Sequence, residues 1–456
     1  MSGKRVVLLD GCGRLDEDLT PVLDNLMTVL SNQESETEIF HLRELKLAHC
    51  LGCFGCWLKT PGMCVEDDAG RRIARAVIQS DTTVFFSPVT FGGYSPELKK
   101  MMDHFIQLIS PFFAMDHGEV HHPPRYAGRP RLVAVGVQRR ANAHEAHIFE
   151  TLAGRNALNL HPPSYAAEVV PATEAPGTLR QRFEALLARS DALPYGTSAA
   201  ALMPAVVCGG DAMVTNPKRA FLIIGSPKTN VPSTSSVLGS YLLERLGDRG
   251  WETGSLTLRA SLNRPEGEAA LLAGIDRAGL IVLVFPLYAD ALPYLVTRAL
   301  TVIAGNLRAA TQPAKQLVAI VNSGFPEIRQ NAVALAICEE FAAQSGIAWR
   351  GGLALGAGGM IGTQPLTAAK RSGPPVRHVV QALNLTAAAL GEGLPVPGQA
   401  AELMARNPFP LVPRALWRRI YMHFGEKGFV KEAASHGISK DGLLAQPYTA
   451  ATAPSL

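Results

Sequence analysis

Short apolar runs alternate with amphipathic stretches along the whole chain, and this alternation predicts an α/β architecture. In the first half, RVVLLD from Arg5, TEIF from Thr37, TVFFS from Thr83, RLVAVGV from Arg131 and SYAAEVV from Ser164 read as strands. The stretches LTPVLDNLMTVL, RRIARAVIQS, SPELKKMMDHFIQLI, HEAHIFETLAGRNAL and TLRQRFEALLARS read as the helices that follow them. The second half repeats the plan: RAFLIIG, ETGSLTL, GLIVLVF, KQLVAIVN and WRGGLAL are strand candidates, with helices at SSVLGSYLLERLG, GEAALLAGIDRA, YLVTRALTVIAG and IRQNAVALAICEEFAAQSG. Each half therefore reads as a doubly wound, five-stranded parallel sheet covered by helices on both faces.

Punctuation residues divide the chain. The stretch PYGTSAAALMPAVVCGGDAMVTNP, rich in Pro, Gly, Ser and Ala, marks a linker. The expected organisation is a domain over 1–192, a linker over 193–217, a second domain over 218–390, and an extension over 391–456 that packs over one of the domains and carries the basic helix RALWRRIYMHF. Gly11 and Pro88 lie 77 positions apart, while the matching Gly225 and Pro286 lie 61 apart, an excess of 16. That excess is close to the length of CLGCFGCWLKTPGMC, so the first domain reads as the second with a cysteine loop inserted after its second strand.

Composition narrows the class. At 456 residues, 47% hydrophobic and with a net charge of +4, the chain suits two ordinary globular cores. It has no run of about 18 apolar residues and no long basic run, so neither a membrane span nor nucleic-acid binding is expected. The opening MSGKRVVLLDG enters a strand pattern directly, which points to a reducing, cytoplasmic setting.

In an open parallel sheet, ligands bind at the carboxyl ends of the strands where strand order reverses. There the second half offers GSPKTNVPSTSSVLG, in which Ser226, Lys228, Thr229, Asn230, Ser233, Thr234 and Ser235 precede or open a helix, a pocket suited to a phosphate monoester. No Walker lysine pattern occurs, which disfavours a nucleoside triphosphate. After the third strands, Pro88, Thr90, Phe91, Gly92, Gly93 and Tyr94 in one half and Pro286, Leu287, Tyr288, Ala289 and Asp290 in the other would suit the edge of a flat heteroaromatic ring. Asn322 and Gly324 in NSGFPEIRQN could close over the same ring. Exposed aromatics that plug a domain interface would leave the same pattern.

Cys50, Cys53, Cys56 and Cys64 follow a C-x2-C-x2-C-x7-C spacing. Four thiolates at that spacing can hold a [4Fe–4S] cluster, a structural zinc, or nothing; the single continuous run favours the cluster over the separated knuckles typical of zinc. Asp67 and Asp68 read as caps of the next helix, His121 and His122 as exposed loop histidines, and Arg414, Arg418 and Arg419 as a solvated basic face or a phosphate grip.

These loops resemble the flavodoxin-like NAD(P)H-dependent FMN reductases. GSPK with the serine-rich segment, and FPLYADALP, are similar to that family's FMN phosphate and ring loops, while CLGCFGCWLKTPGMCVEDD followed by SPVTFGGYSPELKKMMD resembles its iron-sulfur flavoprotein branch. The resemblance covers both halves and leaves out the tail. It implies two tandem flavodoxin-like domains forming an internal pseudo-dimer, open to further homodimerisation. It also implies FMN as cofactor, NAD(P)H as electron donor, and an unidentified acceptor reached through the cluster. No side chain is required as an acid or base, so no catalytic residue is expected. One departure stands out: the first loop of the first half reads DGCGRLDEDL, placing Asp16, Glu17 and Asp18 where a phosphate would dock, so FMN is expected in the second domain rather than the first. An electron carrier without pyridine nucleotide activity, or a degenerate scaffold, are the alternative readings.

Overall fold

The structure is a computed structural model that describes residues 4–33, 35–193, 217–228, 232–309, 314–368, 373, 376–409 and 411–449. Most of the expected linker, with Cys208, and the predicted phosphate-loop residues Thr229 and Asn230 lie outside the described residues. The chain forms two compact units, the first made of the residues up to 193 together with those from Ile420 onward, the second ending at Arg419.

In the first unit β1 (Arg5–Asp10), β2 (Glu36–His41), β3 (Thr82–Pro88), β6 (Arg131–Gln138) and β7 (Tyr165–Pro171) build one parallel sheet in the order β2-β1-β3-β6-β7. In the second unit β8 (Arg219–Ile224), β9 (Glu252–Thr257), β10 (Leu280–Pro286), β11 (Gln316–Asn322) and β12 (Ala348–Leu355) repeat it in the order β9-β8-β10-β11-β12. Both orders reverse between the first and third strands, so both units are flavodoxin-like and carry a crevice at the carboxyl ends there. The central strands are apolar on both faces and buried end to end, as in LIVLVF and QLVAIVN, whereas the edge strands ETEIFH and ETGSLT stay polar and half-exposed.

All ten expected strands are present, and the elements beside them differ in four places. SPELKKMMDHFIQLI breaks at Asp103 into an α-helix over Pro96–Met102 and a 3-10 turn over Asp103–Leu108. A hairpin of β4 (Ala114–Asp116) and β5 (Glu119–His121) fills the following connection. The helices Val376–Gly391 and Gly398–Met404 extend the core of the second unit; Val379, Leu383, Ala387, Ala400 and Met404 are all buried in it. The basic helix is longer than its signal, spanning Arg414–Ser435.

Between β2 and the helix Ala69–Ile78 the first unit carries the cysteine loop over residues 42–68; the equivalent connection in the second unit is residues 258–264. The insertion therefore sits where the length comparison puts it.

Candidate functional site

The cysteine loop is held at both ends and in its middle. Asp68 caps the helix Ala69–Ile78, accepting from Gly70 N at 2.8 Å, and its other oxygen accepts from Ala48 N at 2.8 Å, two residues before Cys50. In the middle, Phe54 turns the chain at φ 55° into the short helix Gly55–Leu58. Trp57 on that helix is 1% exposed, and its indole N–H donates to the carbonyls of Ile106 and Ile109 at 3.0 and 3.1 Å. Its ring stacks on Phe54 and meets Phe429 edge-on, centroids 5.2 and 5.4 Å away.

Cys50, Cys53, Cys56 and Cys64 line one small cavity together with His49 and His104. All four thiols are free of disulfides; Cys56 is buried and Cys53 exposed. Burial pushes the Cys50 thiol up to about 12, with the Asp103 carboxylate adding to it, and pushes Cys56 and Cys64 upward as well. Buried thiols of this kind become anions when a cation replaces their protons, which is the coupling of metal binding to proton release. Among the described residues no three His, Cys, Asp or Glu side chains converge as ligands of one metal ion.

The histidines differ from expectation. His121 is 1% exposed on β5, facing Glu119 and Asn159. The ring of His122 lies 4.5 Å from that of Trp57, and burial there lowers its pKa to about 4. His121 is a core residue and His122 half-buried, because the hairpin, which carries no period strong enough to be read in three-residue strands, folds this stretch inward. Arg418 pairs with the carboxylate of Glu327 at 2.7 Å in the second unit, so it is not a free phosphate grip.

The carboxyl edges of the two sheets are built alike and finished differently. Each third strand ends in a tight two-residue turn: Thr90 and Gly93 bond reciprocally around Phe91 and Gly92, and Tyr288 and Ala291 around Ala289 and Asp290. All four central residues have φ between 48° and 83°. That conformation costs about 1–3 kcal/mol at a non-glycine position. In the first unit the turn is buried: Phe91 is 6% and Tyr94 1% exposed, with Tyr94 packed edge-on against Phe85 and Phe149. Gly92 is needed there twice over, for its φ of 83° and because a Cβ would stand 2.6 Å from Ile148. Phe91, Gly92, Gly93 and Tyr94 thus serve the core of their own domain, with Pro88 buried behind them and Thr90 half-buried. In the second unit Pro286, Leu287, Tyr288 and Ala289 are half-exposed and only Asp290 is buried.

The first loops differ in the same sense. In the first unit Cys12 N donates to Asp10 at 2.9 Å and Gly13 N to Asp16 at 2.7 Å, while Arg139 grips Asp16 and Asp18 at 2.7 Å each. Those amides and that cation are the groups a phosphate would use, and the chain's own carboxylates hold them. These residues do not fit a flavin phosphate. In the second unit Lys228 is exposed and Ser226 buried, the Ser226 hydroxyl accepting from Lys228 N at 3.3 Å. Ser233 and Ser236 form a reciprocal capping box at the start of the helix Thr234–Gly247, and Thr234 donates to Gly358 O at 3.2 Å. Asn322 ties the edge together: its side-chain amide donates to Ser235 Oγ at 2.9 Å and Phe285 O at 3.0 Å, and its backbone carbonyl accepts from Leu287 N. Gly324 is exposed beside it. A cavity of about 490 Å³ opens next to the loop, lined by Lys228, Ser233, Ser236, Tyr241, Thr257 and Thr363 among others. Its volume is that of a small-molecule site. Of the residues expected around a ligand, Lys228 and Ser233 line it; the turn 286–290, Asn322 and Gly324 do not.

Residues 6–170 match the family described as NADPH-dependent FMN reductase. The chain is 30% identical over 99 residues to an iron-sulfur flavoprotein of Methanocaldococcus jannaschii, a match covering 22% of this chain and 50% of that protein. It is 29% identical over 96 residues to an iron-sulfur flavoprotein of Archaeoglobus fulgidus, covering 21% and 43%. The chain thus spans about half the length, or less, of the curated relatives it matches. An NAD(P)H:quinone oxidoreductase from Methanothermobacter marburgensis superposes with a TM-score of 0.32 at 10% identity, covering 40% of this chain and 96% of that one.

Proposed function

From the premise that residues 6–170 belong to the NADPH-dependent FMN reductase family, we propose that the chain is an FMN-dependent oxidoreductase that passes electrons between NAD(P)H and a [4Fe–4S] cluster. The second domain holds the FMN and the cysteine loop of the first holds the cluster. Bound flavin supplies hydride acceptance and single-electron release. The observation that carries the division of labour is the contrast between the first loops: Gly13 N and Arg139 are taken by Asp16 in one unit, whereas a 490 Å³ cavity adjoins Lys228 and Ser233 in the other.

In this reading Lys228 and the serines around Ser233 bind the phosphate, and the half-exposed Leu287, Tyr288 and Ala289 of the turn after β10 lie against the ring. Asn322 keeps those loops in register. Cys50, Cys53, Cys56 and Cys64 supply the four thiolates. The four thiols line one cavity, and the single continuous run of three of them, each two residues from the next, favours a cluster over the separated knuckles typical of one zinc ion. Burial of Cys56 and exposure of Cys53 give the site one solvent-facing edge.

An anaerobic absorption spectrum with iron and sulfide analysis tests the reading. Flavin bands near roughly 375 and 450 nm, about one FMN per chain, and a shoulder near roughly 400 nm are expected. Cys53→Ser should remove the shoulder and leave the flavin; loss of both would refute the separation of the sites. Stopped-flow mixing with NADPH and with NADH then distinguishes an enzyme from a carrier, which would stay oxidised with either. Asn322→Leu removes two hydrogen bonds between the loops, about 1–3 kcal/mol of local order, and is expected to weaken FMN binding roughly tenfold in a fluorescence titration.

A further inference from the structure

Cys64 lies apart from the other three cysteines, eight positions beyond Cys56, on a turn without regular structure. Both sides of its peptide unit are nevertheless held. Its N–H donates to Gln107 Oε1 at 3.1 Å and its carbonyl accepts from Arg71 Nε at 2.9 Å. Gln107 is fully buried, and its amide group donates to His104 O at 3.1 Å, which fixes the direction of its oxygen. That same oxygen accepts from the hydroxyl of Tyr448 at 2.8 Å.

Tyr448 is held on every side. It is 1% exposed, its N–H donates to Tyr126 OH at 3.3 Å, its carbonyl accepts from Gln79 Nε2 at 3.1 Å, and Arg75 lies over its ring at 5.9 Å. The residues before it are fastened by Arg125, 3% exposed, which donates to Leu443 O at 2.7 Å, Ala445 O at 2.9 Å and the backbone carbonyl of Gln107 at 3.0 Å. Gln446 returns a bond to Arg125 O at 2.7 Å. Pro447 then closes on the cysteine turn itself, so near that a Cβ on Gly62 would stand 2.5 Å from its ring. Upstream, Ala433 and Leu443 share one apolar cluster with Cys56, Trp57 and Leu58.

We propose that the C-terminal segment around Tyr448 is part of the cysteine site, with Gln107 and Tyr448 as positioning residues that set where Cys64 stands relative to the other three thiols. The segment carries no ligand of its own. It acts through one shared acceptor: Gln107 Oε1 takes the Cys64 N–H and the Tyr448 O–H together, so neither loop nor tail can shift without the other. A mere packing role would leave this oxygen serving one partner and would loosen the whole loop evenly when disturbed. The inference builds on the cysteine loop as a site but holds whether the thiols carry iron or protons.

The test is carried out on the full chain, metal-free and reduced, by following iodoacetamide labelling of each cysteine by peptide mass mapping. Tyr448→Phe keeps the ring and removes the donor; Gln107→Leu keeps the volume and removes the acceptor. Either is expected to speed labelling of Cys64 relative to Cys53 in the same molecules by roughly five- to tenfold, the shift in a local opening equilibrium that one lost hydrogen bond corresponds to. Unchanged Cys64 labelling in both variants, or an equal rise at all four cysteines, would overturn the proposal. Circular dichroism melting checks that both variants fold. Iron and sulfide uptake by the wild type is read separately, so absence of a cluster and absence of positioning give different results.

Discussion

Trp57→Ala is expected to cost the first unit about 3–5 kcal/mol, the usual range for deleting a large buried aromatic side chain. The value sits at the upper end for reasons particular to this site. The indole is 1% exposed, touches Phe54, His122 and Phe429, and its N–H satisfies two carbonyls at once. Removing it leaves a cavity and takes one donor from each of the Ile106 and Ile109 carbonyls. Urea unfolding of the full chain should show the first unit's transition moved to lower denaturant while that of the second unit stays in place. Trp57→Phe, which retains most of the volume, should lose only about 1 kcal/mol.

A pH dependence accompanies it. His122 is held near 4 by burial against this ring, below its ordinary 6.5. A base whose folded pKa is lowered contributes stability that is complete above the unfolded value and is lost as pH falls toward the folded one. Wild-type stability should therefore decline from about pH 6.5 to about pH 4. With Trp57 gone and water admitted, that slope should flatten, and NMR titration of His122 should show its pKa returning toward the ordinary value.

The second large effect is expected at Asp103. Its carboxylate and the ammonium of Lys99 pair one helical turn apart, each side chain 2% exposed. Asp103→Ala takes the carboxylate away from the buried lysine, and breaking a buried ion pair from one side usually costs about 3–5 kcal/mol. The double change Lys99→Met with Asp103→Leu should recover most of it, because a well-packed apolar pair stabilises as much as a buried ion pair. Failure of the double variant to recover would mean that the pair contributes more than neutralisation, through its neighbour Cys50. The Asp103 charge adds to burial in raising that thiol, so Asp103→Ala should lower the Cys50 pKa only part of the way.

The ten strands were legible because each central strand is a short apolar run bounded by turn residues, and the parallel sheets followed from the alternation with helices. The helix break at Asp103 was not: Met101, Met102, Phe105 and Leu108 keep a helical period through it, and the buried pair that accompanies the break is a tertiary fact. The β4–β5 hairpin escaped for a different reason, since three residues are too few to show alternation. At the candidate site, the cysteine spacing and the acids of the first loop were visible, and Asp16 does accept from the Gly13 amide. What no local pattern announces is Gln107, Arg125 and Tyr448. Gln107 and Tyr448 are 341 positions apart, and neither carries a motif. The burial of Phe91 and Tyr94 was equally hidden, because the sequence PVTFGGY reads the same whether it faces a ligand or the helix Ala143–Leu160.

The fastening of Tyr448 over the cysteine turn sets an order of events during synthesis. Residues 50–64 leave the ribosome roughly 380 residues ahead of the tyrosine, about 20–80 s at common elongation rates. Throughout that interval the thiols have no wall on the Tyr448 side and stay open to solvent there. The site gains that wall only after both sheets have been made.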